Sequence, residues 1–249
     1  MGVLDFAGGT VVHIAAGFSA LAFAMVIGPR KGVGRAPMEP HNITMTVLGA
    51  GLLWVGWFGF NAGSALAANG VAVNALLTTN TSAATAGLIW MLLSWLDGRP
   101  SPLGIATGMV VGLAAVTPAA GFVTPMTAMG IGAVAAPLSY YTMRFRARRK
   151  LDESLDVWAC HGMASSWGMI ATGLFATTAV NSSGANGLFF GNSGQIGVQF
   201  LAVAVTIVFS FSVTYVVAKL LDLSIGLRVS PKEEEVGLDI SSHGERAYS

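Results

Sequence analysis

Seven apolar stretches, separated by short polar segments, run along the chain at residues 6–27, 43–65, 71–95, 103–117, 125–143, 157–180 and 196–221. Most have the ~20 residues that a membrane-crossing helix requires. The fourth, at about 15, needs Gly121 and Phe122 to extend it, or a kink or tilt. The stretches are apolar nearly all round, which is the pattern of helices bundled in lipid rather than of helices with one wet face. Residues 198–209 do not alternate as the strand of a membrane β-barrel would. The pattern predicts an all-α fold, a polytopic membrane helical bundle over residues 1–222, followed by a polar tail over 223–249.

Composition supports this. Of the 249 residues 53% are apolar and only 10% charged, with 32 glycines, against about 25% charged in an average soluble domain. A disordered chain, a nucleic-acid binder with a basic face and an ordinary soluble enzyme are all excluded. One cysteine allows no internal disulfide. The first stretch is no signal peptide, because it has Asp5 at its mouth and no basic leader. The chain reads as one entered partway through.

The placement of charge gives a topology. All 13 Lys and Arg fall in alternate segments: Arg30, Lys31 and Arg35 after the first stretch, Arg99 after the third, Arg144, Arg146, Arg148, Arg149 and Lys150 after the fifth, and Lys219, Arg228, Lys232 and Arg246 at the C-terminal end. By the positive-inside rule these segments and the tail are expected in the cytoplasm, and a missed or extra span would scramble the parity. In the tail, Ser230-Pro231 leads into an acidic first turn that Gly237 ends. It reads either as an inert extension or as a segment packed on the bundle or on a neighbouring subunit.

Polar residues inside spans are the candidates for function. Asp5 and His13 lie eight apart in the first span, and Asp156 and His161 five apart in the sixth. Two Asp…His elements on oppositely directed helices suggest an inverted repeat. A buried neutral imidazole needs a donor and an acceptor, and a second imidazole supplies one. The two rings are therefore expected about 2.7–3.2 Å apart, unless each is a separate structural histidine bonded to backbone. A metal site would need a third ligand, and Cys160 diverges from His161 by about 100° on a helix. No metal and no cofactor are expected.

In the second span, Trp57, Phe58 and Phe60 adjoin Asn61 and Ser64, and these two polar residues share a helix face. Ordinary bundle packing explains the group, as does a constriction at Phe60 with Ser64 contacting a solute. Thr78, Thr79, Asn80, Thr81, Ser82 and Thr85 make the middle of the third span polar, which predicts burial against neighbouring helices. Thr117-Pro118-Ala119-Ala120-Gly121 reads as a break that lines a vestibule or turns the chain.

Several of these runs resemble one family. Asp5-Phe-Ala-Gly-Gly-Thr-Val-Val-His13 resembles the fifth helix of the ammonium transporters (Amt/Mep/Rh), and Gly56-Trp-Phe-Gly-Phe-Asn-Ala-Gly-Ser64 the sixth. Gly112-Leu-Ala-Ala-Val-Thr-Pro-Ala-Ala-Gly-Phe122 resembles the eighth and Asp156-Val-Trp-Ala-Cys-His-Gly162 the tenth. Gly237-Leu-Asp-Ile-Ser-Ser-His-Gly-Glu245 resembles the cytoplasmic tail.

The resemblance covers nearly the whole chain and implies seven of the family's eleven membrane helices, beginning at the fifth. It implies a homotrimer in the plasma (inner) membrane, with one pore per subunit and no enzymatic chemistry. His13 and His161 would be the twin histidines of the pore, Phe60 the inner member of its phenylalanine gate, and Ser64 and Asp5 parts of an outer recruitment site. Asp156, Asn61 and Trp57 are read as supporting residues. The tail would meet a small trimeric cytoplasmic signalling protein. The rival readings are an ammonium sensor or signalling scaffold with little flux, a transporter of another small solute, and an inactive truncated product. In the last, Asp5 and Asn61 are expected to lie open to lipid.

Overall fold

The computed structural model describes residues 2–35 and 38–246; the end of the tail, 247–249, and positions 1, 36 and 37 lie outside the described residues. The described residues form helices and turns, with no strand among them. A π-helical turn Gly9–Ile14 runs into the α-helix Ala15–Ile27, together α1. Then follow α2 (Ile43–Gly63), α3 (Gly70–Asp97), α4 (Pro102–Val116) and α5 (Pro125–Arg148). A second π-helical turn, Trp158–Met163, leads into Ala164–Phe175, together α6. The long α7 is Gly194–Ile225, and α8 (Pro231–Val236) and α9 (Leu238–His243) form the tail. Among the described residues, four helices are long and apolar enough by themselves to cross a membrane: α1, α2, α3 and α7.

Local chemistry explains where the helices begin. Asn42, Asn69, Ser101 and Thr124 each accept a backbone N–H from the first turn of the helix they precede, a contact worth about 1 kcal/mol per cap. Pro102 and Pro125 follow two of these caps, in the first turn where proline costs no hydrogen bond.

The fourth span breaks where the run at 117–121 predicts a break, and the sixth ends earlier than the hydrophobic pattern indicates. α4 stops at Val116, and residues 117–122 continue as a turn buried throughout. α6 stops at Phe175. Irregular backbone at membrane depth is tolerated only where protein satisfies it, and Asn74 and Thr78 of α3 do that here. Asn74 Nδ2 donates to the Ala120 and Val123 carbonyls, and Thr78 Oγ1 to Ala120 O at 2.9 Å. From outside α3, Phe6 N donates to Pro118 O and Thr177 N to Phe122 O. Ser82 Oγ donates to Gly112 O at 2.7 Å. A Cβ at Gly112 or at Gly132 would run into the Ser82 carbonyl, so α3, α4 and α5 meet through glycine. Thr78, Thr79 and Ser82 are buried as expected, whereas Asn80 is exposed.

The basic segments gather on one face. Arg30 forms a two-toothed ion pair with Asp152, and its guanidinium holds that carboxyl below the ordinary range. The tail folds back onto this face rather than extending freely. Ser230 and Glu233 form a reciprocal cap at the start of α8. Glu234 accepts from Lys31 N and from Arg228, Glu235 pairs with Lys31, and Arg228 also donates to the Ile27 carbonyl at the end of α1.

Candidate functional site: a histidine pair between two cavities

The two π-helical turns carry the two histidines. α1 and α6 cross where Gly17 meets Gly162; a Cβ on Gly17 would run into the Gly162 backbone. This approach brings His13 Nδ1 to 3.3 Å from His161 Nδ1, a tenth of an ångström beyond the expected range. Neither ring is a separate structural histidine.

Trp57 covers the pair, stacked on His13 at 5.0 Å between centroids and parallel to His161 at 6.3 Å. Its Nε1 donates to Thr117 Oγ1 at 2.9 Å, which ties it to the broken end of α4. Phe60 lies 5.9 Å from His13 and is 39% exposed. His13 is buried, and its Nε2 has no partner among the described residues. An imidazole nitrogen can donate or accept, according to its tautomer.

One cavity of about 550 Å³ is bounded by His13, Trp57, Phe60, Leu52 and Leu53. A second, of about 440 Å³, is bounded by His161, Cys160, Thr46, Leu53, Thr107 and Leu155. Gly49 and Leu53 belong to both walls. Each histidine thus opens onto one cavity. Cys160 and His161 border the same cavity, contrary to the divergence expected of adjacent helical residues. Among the described residues no group of three ligating side chains could hold a metal ion.

The remaining candidates fall elsewhere. Asp5 caps α1: its carboxylate accepts from Gly9 N at 2.6 Å, Thr10 N at 2.9 Å and the Thr10 hydroxyl. Asn61 is fully buried and donates to Thr79 Oγ1 at 2.9 Å. Neither lies open to lipid, which corrects that expectation. Ser64 Oγ donates to the Phe60 carbonyl within its own helix.

Asp156 is not the counterpart of Asp5. Its carboxylate pairs with Arg146 Nε at 2.7 Å, while the start of α6 is served by Glu153. Buried, Glu153 accepts Trp158 N at 3.1 Å and Leu155 N at 3.3 Å. Glu153 precedes His161 by eight residues, as Asp5 precedes His13. Sequence reasoning missed it by matching residue type instead of spacing.

The fold and the site define a polytopic α-helical membrane protein in which the starts of two helices bring His13 and His161 together. The chain belongs to the Ammonium Transporter Family, whose model matches residues 1–248. It is 55% identical to the ammonium transporter Amt1 of Archaeoglobus fulgidus over 249 residues, covering 100% of this chain and 63% of that one. It is 48% identical to an ammonium transporter of Bacillus subtilis, covering 100% and 61%. Among solved structures, Candida albicans Mep2 superimposes with a TM-score of 0.87 at 35% identity, covering 93% of this chain and 54% of that one. A protein described as a sensor Amt protein gives 0.87 at 31% identity, covering 97% and 60%. The chain therefore spans little more than half to under two thirds of the length of these relatives.

Proposed function

We propose that this chain forms the histidine-bearing part of a pore that carries ammonium across a membrane as ammonia. The observation that carries the reading is the His13–His161 contact, roofed by Trp57, between an apolar-walled cavity on the His13 side and a cavity of mixed lining on the His161 side. A bare cation pays heavily for desolvation in such a lining, and loss of a proton removes most of that cost. Neutral ammonia then passes Phe60 and exchanges hydrogen bonds with His13 and His161. Asp5 supports an outer recruitment site by ordering the start of α1, and Ser64 contributes a hydroxyl to it. Trp57 and Asn61 brace α2, and Asp156 braces the basic face. No covalent chemistry is involved, so the protein is a transporter and not an enzyme. Residues 1–222 form the membrane part and 223–249 a cytoplasmic tail.

The chain works as part of a complete subunit in a homotrimer of the plasma (inner) membrane. Its tail, folded on the basic face, is a contact for a trimeric cytoplasmic signalling protein. Uptake of methylammonium in cells lacking their own transporters tests the reading. The comparison is between this chain, a version extended upstream by the genomic sequence, and that version with His13 and His161 replaced by Ala. Flux by the extended chain that is lost in the double variant is expected; flux unchanged by the replacements would remove the histidines from the mechanism. Ammonium binding without flux by the extended chain would favour a sensor, the role named for one structural relative. Robust uptake by the short chain would overturn the view that it needs the rest of a subunit.

A further inference from the structure

Two polar side chains are buried at the start of α7. Gln195 and Gln199 stand one helical turn apart on the same face, and both are buried. A buried side-chain amide is costly unless it is hydrogen-bonded, and these two find partners on one short stretch of distant backbone. Gln195 Nε2 donates to the Gly2 carbonyl at 2.9 Å. Gln199 pairs with both backbone groups of Leu4: its Oε1 accepts from Leu4 N at 2.9 Å, and its Nε2 donates to Leu4 O at 2.6 Å. Gly173 of α6 leaves the room for this, since a Cβ there would come within 3.0 Å of Gln199 Cγ.

Residues 2–6 lie outside any helix, so their backbone groups need partners from other segments. Beyond the two glutamines, Phe6 N donates to the Pro118 carbonyl at 3.0 Å. The Phe6 ring fills the space that a side chain at Gly121 would need and meets Phe122 edge-on at 5.6 Å. Asp5 therefore stands between two anchors: Leu4, held by α7, and Phe6, held by the broken segment after α4. From there the chain turns at Gly8, whose φ is 96°, and the Asp5 carboxylate accepts from Gly9 N, Thr10 N and the Thr10 hydroxyl.

We propose that Gln199 is a positioning residue for substrate recruitment: its amide clamps both backbone groups of Leu4, and so fixes Asp5 where its carboxylate orders the start of α1. The inference rests on the reading of Asp5 as part of the outer recruitment site. Gln199 acts through Asp5 and does not itself meet the solute. Gln195 extends the clamp upstream by one further bond.

The test pairs amide exchange in detergent with methylammonium uptake in cells, both on the chain extended upstream by the genomic sequence. Q199M keeps the length and bulk of the side chain and removes both bonds to Leu4. It should speed exchange over residues 4–10 about tenfold, the loss expected from one or two hydrogen bonds. It should also raise the half-saturating methylammonium concentration about tenfold, with the maximal rate per molecule within about twofold of the parent. Q199N, one methylene too short to reach Leu4, should move both quantities the same way, and it carries the test if Q199M does not fold. Q195M should have a smaller effect, about threefold. Thr214→Val removes a different bond between α7 and α1, the one to Ser19 Oγ, and should leave both quantities unchanged. Exchange over residues 4–10 that is unaltered in Q199M and Q199N would overturn the clamp. Faster exchange with an unchanged half-saturating concentration and a lower maximal rate would overturn the positioning role and leave Gln199 a packing residue. Absence of uptake by the extended parent chain would instead sink the transport reading of the site, and exchange would then decide the clamp by itself.

Discussion

The backbones of Gly17 and Gly162 touch where α1 crosses α6. This contact lies four residues after His13 and one after His161, so the separation of the rings is governed by a place where no side chain fits. Gly17→Ala should force the helices apart and destabilise the protein by about 1–3 kcal/mol, the usual cost of overpacking. Gly162→Ala should cost less, because its Cβ would meet Gly17 Cα and Trp158 Cδ1 at a tight but tolerable 3.3 Å. Thermal unfolding in detergent checks the order, and equal midpoints would contradict it.

Glu153 should behave as a helix cap rather than as a charge. Glu153→Ala removes the acceptor for Trp158 N and Leu155 N and should cost about 1–2 kcal/mol. Glu153→Gln, which keeps an acceptor oxygen, should recover most of that. Asp5→Ala and Asp5→Asn should follow the same order, since Asp5 makes the equivalent contacts. Chemical denaturation of the four variants is the measurement. A Gln variant as unstable as the Ala variant would point to charge instead.

Trp57 performs two jobs that substitution can separate. Trp57→Phe keeps a ring over the histidines but removes the bond to Thr117 Oγ1, at a cost of about 1 kcal/mol. Trp57→Ala also removes the roof over His13 and His161 and should cost about 3–5 kcal/mol. Unfolding midpoints that do not separate the two variants would mean that the stacking contributes little.

The tail contacts should be lost in acid. Hydrogen bonds from Lys31 and Arg228 hold the Glu234 carboxyl below its ordinary value, Lys31 does the same for Glu235, and Arg30 for Asp152. A depressed folded value means that the contribution is fully present above the ordinary carboxylate range. It is lost as pH falls through the lowered values. Amide exchange in α8 should therefore be slow from neutral pH down to about 5 and lose protection below about 4, after correction for the intrinsic rate. The Lys31–Glu235 pair is exposed, so raised salt should loosen the tail at neutral pH as well. Protection that survives both treatments would assign the docking to apolar contacts.

Much of the architecture was legible because it rests on local constraints. A backbone in lipid must satisfy its own hydrogen bonds, so long apolar runs are helices. The caps at Asn42, Asn69, Ser101 and Thr124 act within three residues of themselves. The histidine pair was legible as well, because an imidazole in an apolar span needs a polar partner and the sequence offers few.

What tertiary structure alone decided is the set of relationships between distant segments. Asn74 and Thr78 of α3 answer the carbonyls of Ala120 and Val123 in the broken segment after α4. Glu153 rather than Asp156 caps α6, because Arg146 takes Asp156 and the π turn needs an acceptor one turn earlier. The closeness of the two rings depends on glycine meeting glycine across 145 residues of chain. Local sequence sets which segments are helical and where they start; which side chain answers a given backbone group depends on contacts that exist only once the helices have crossed.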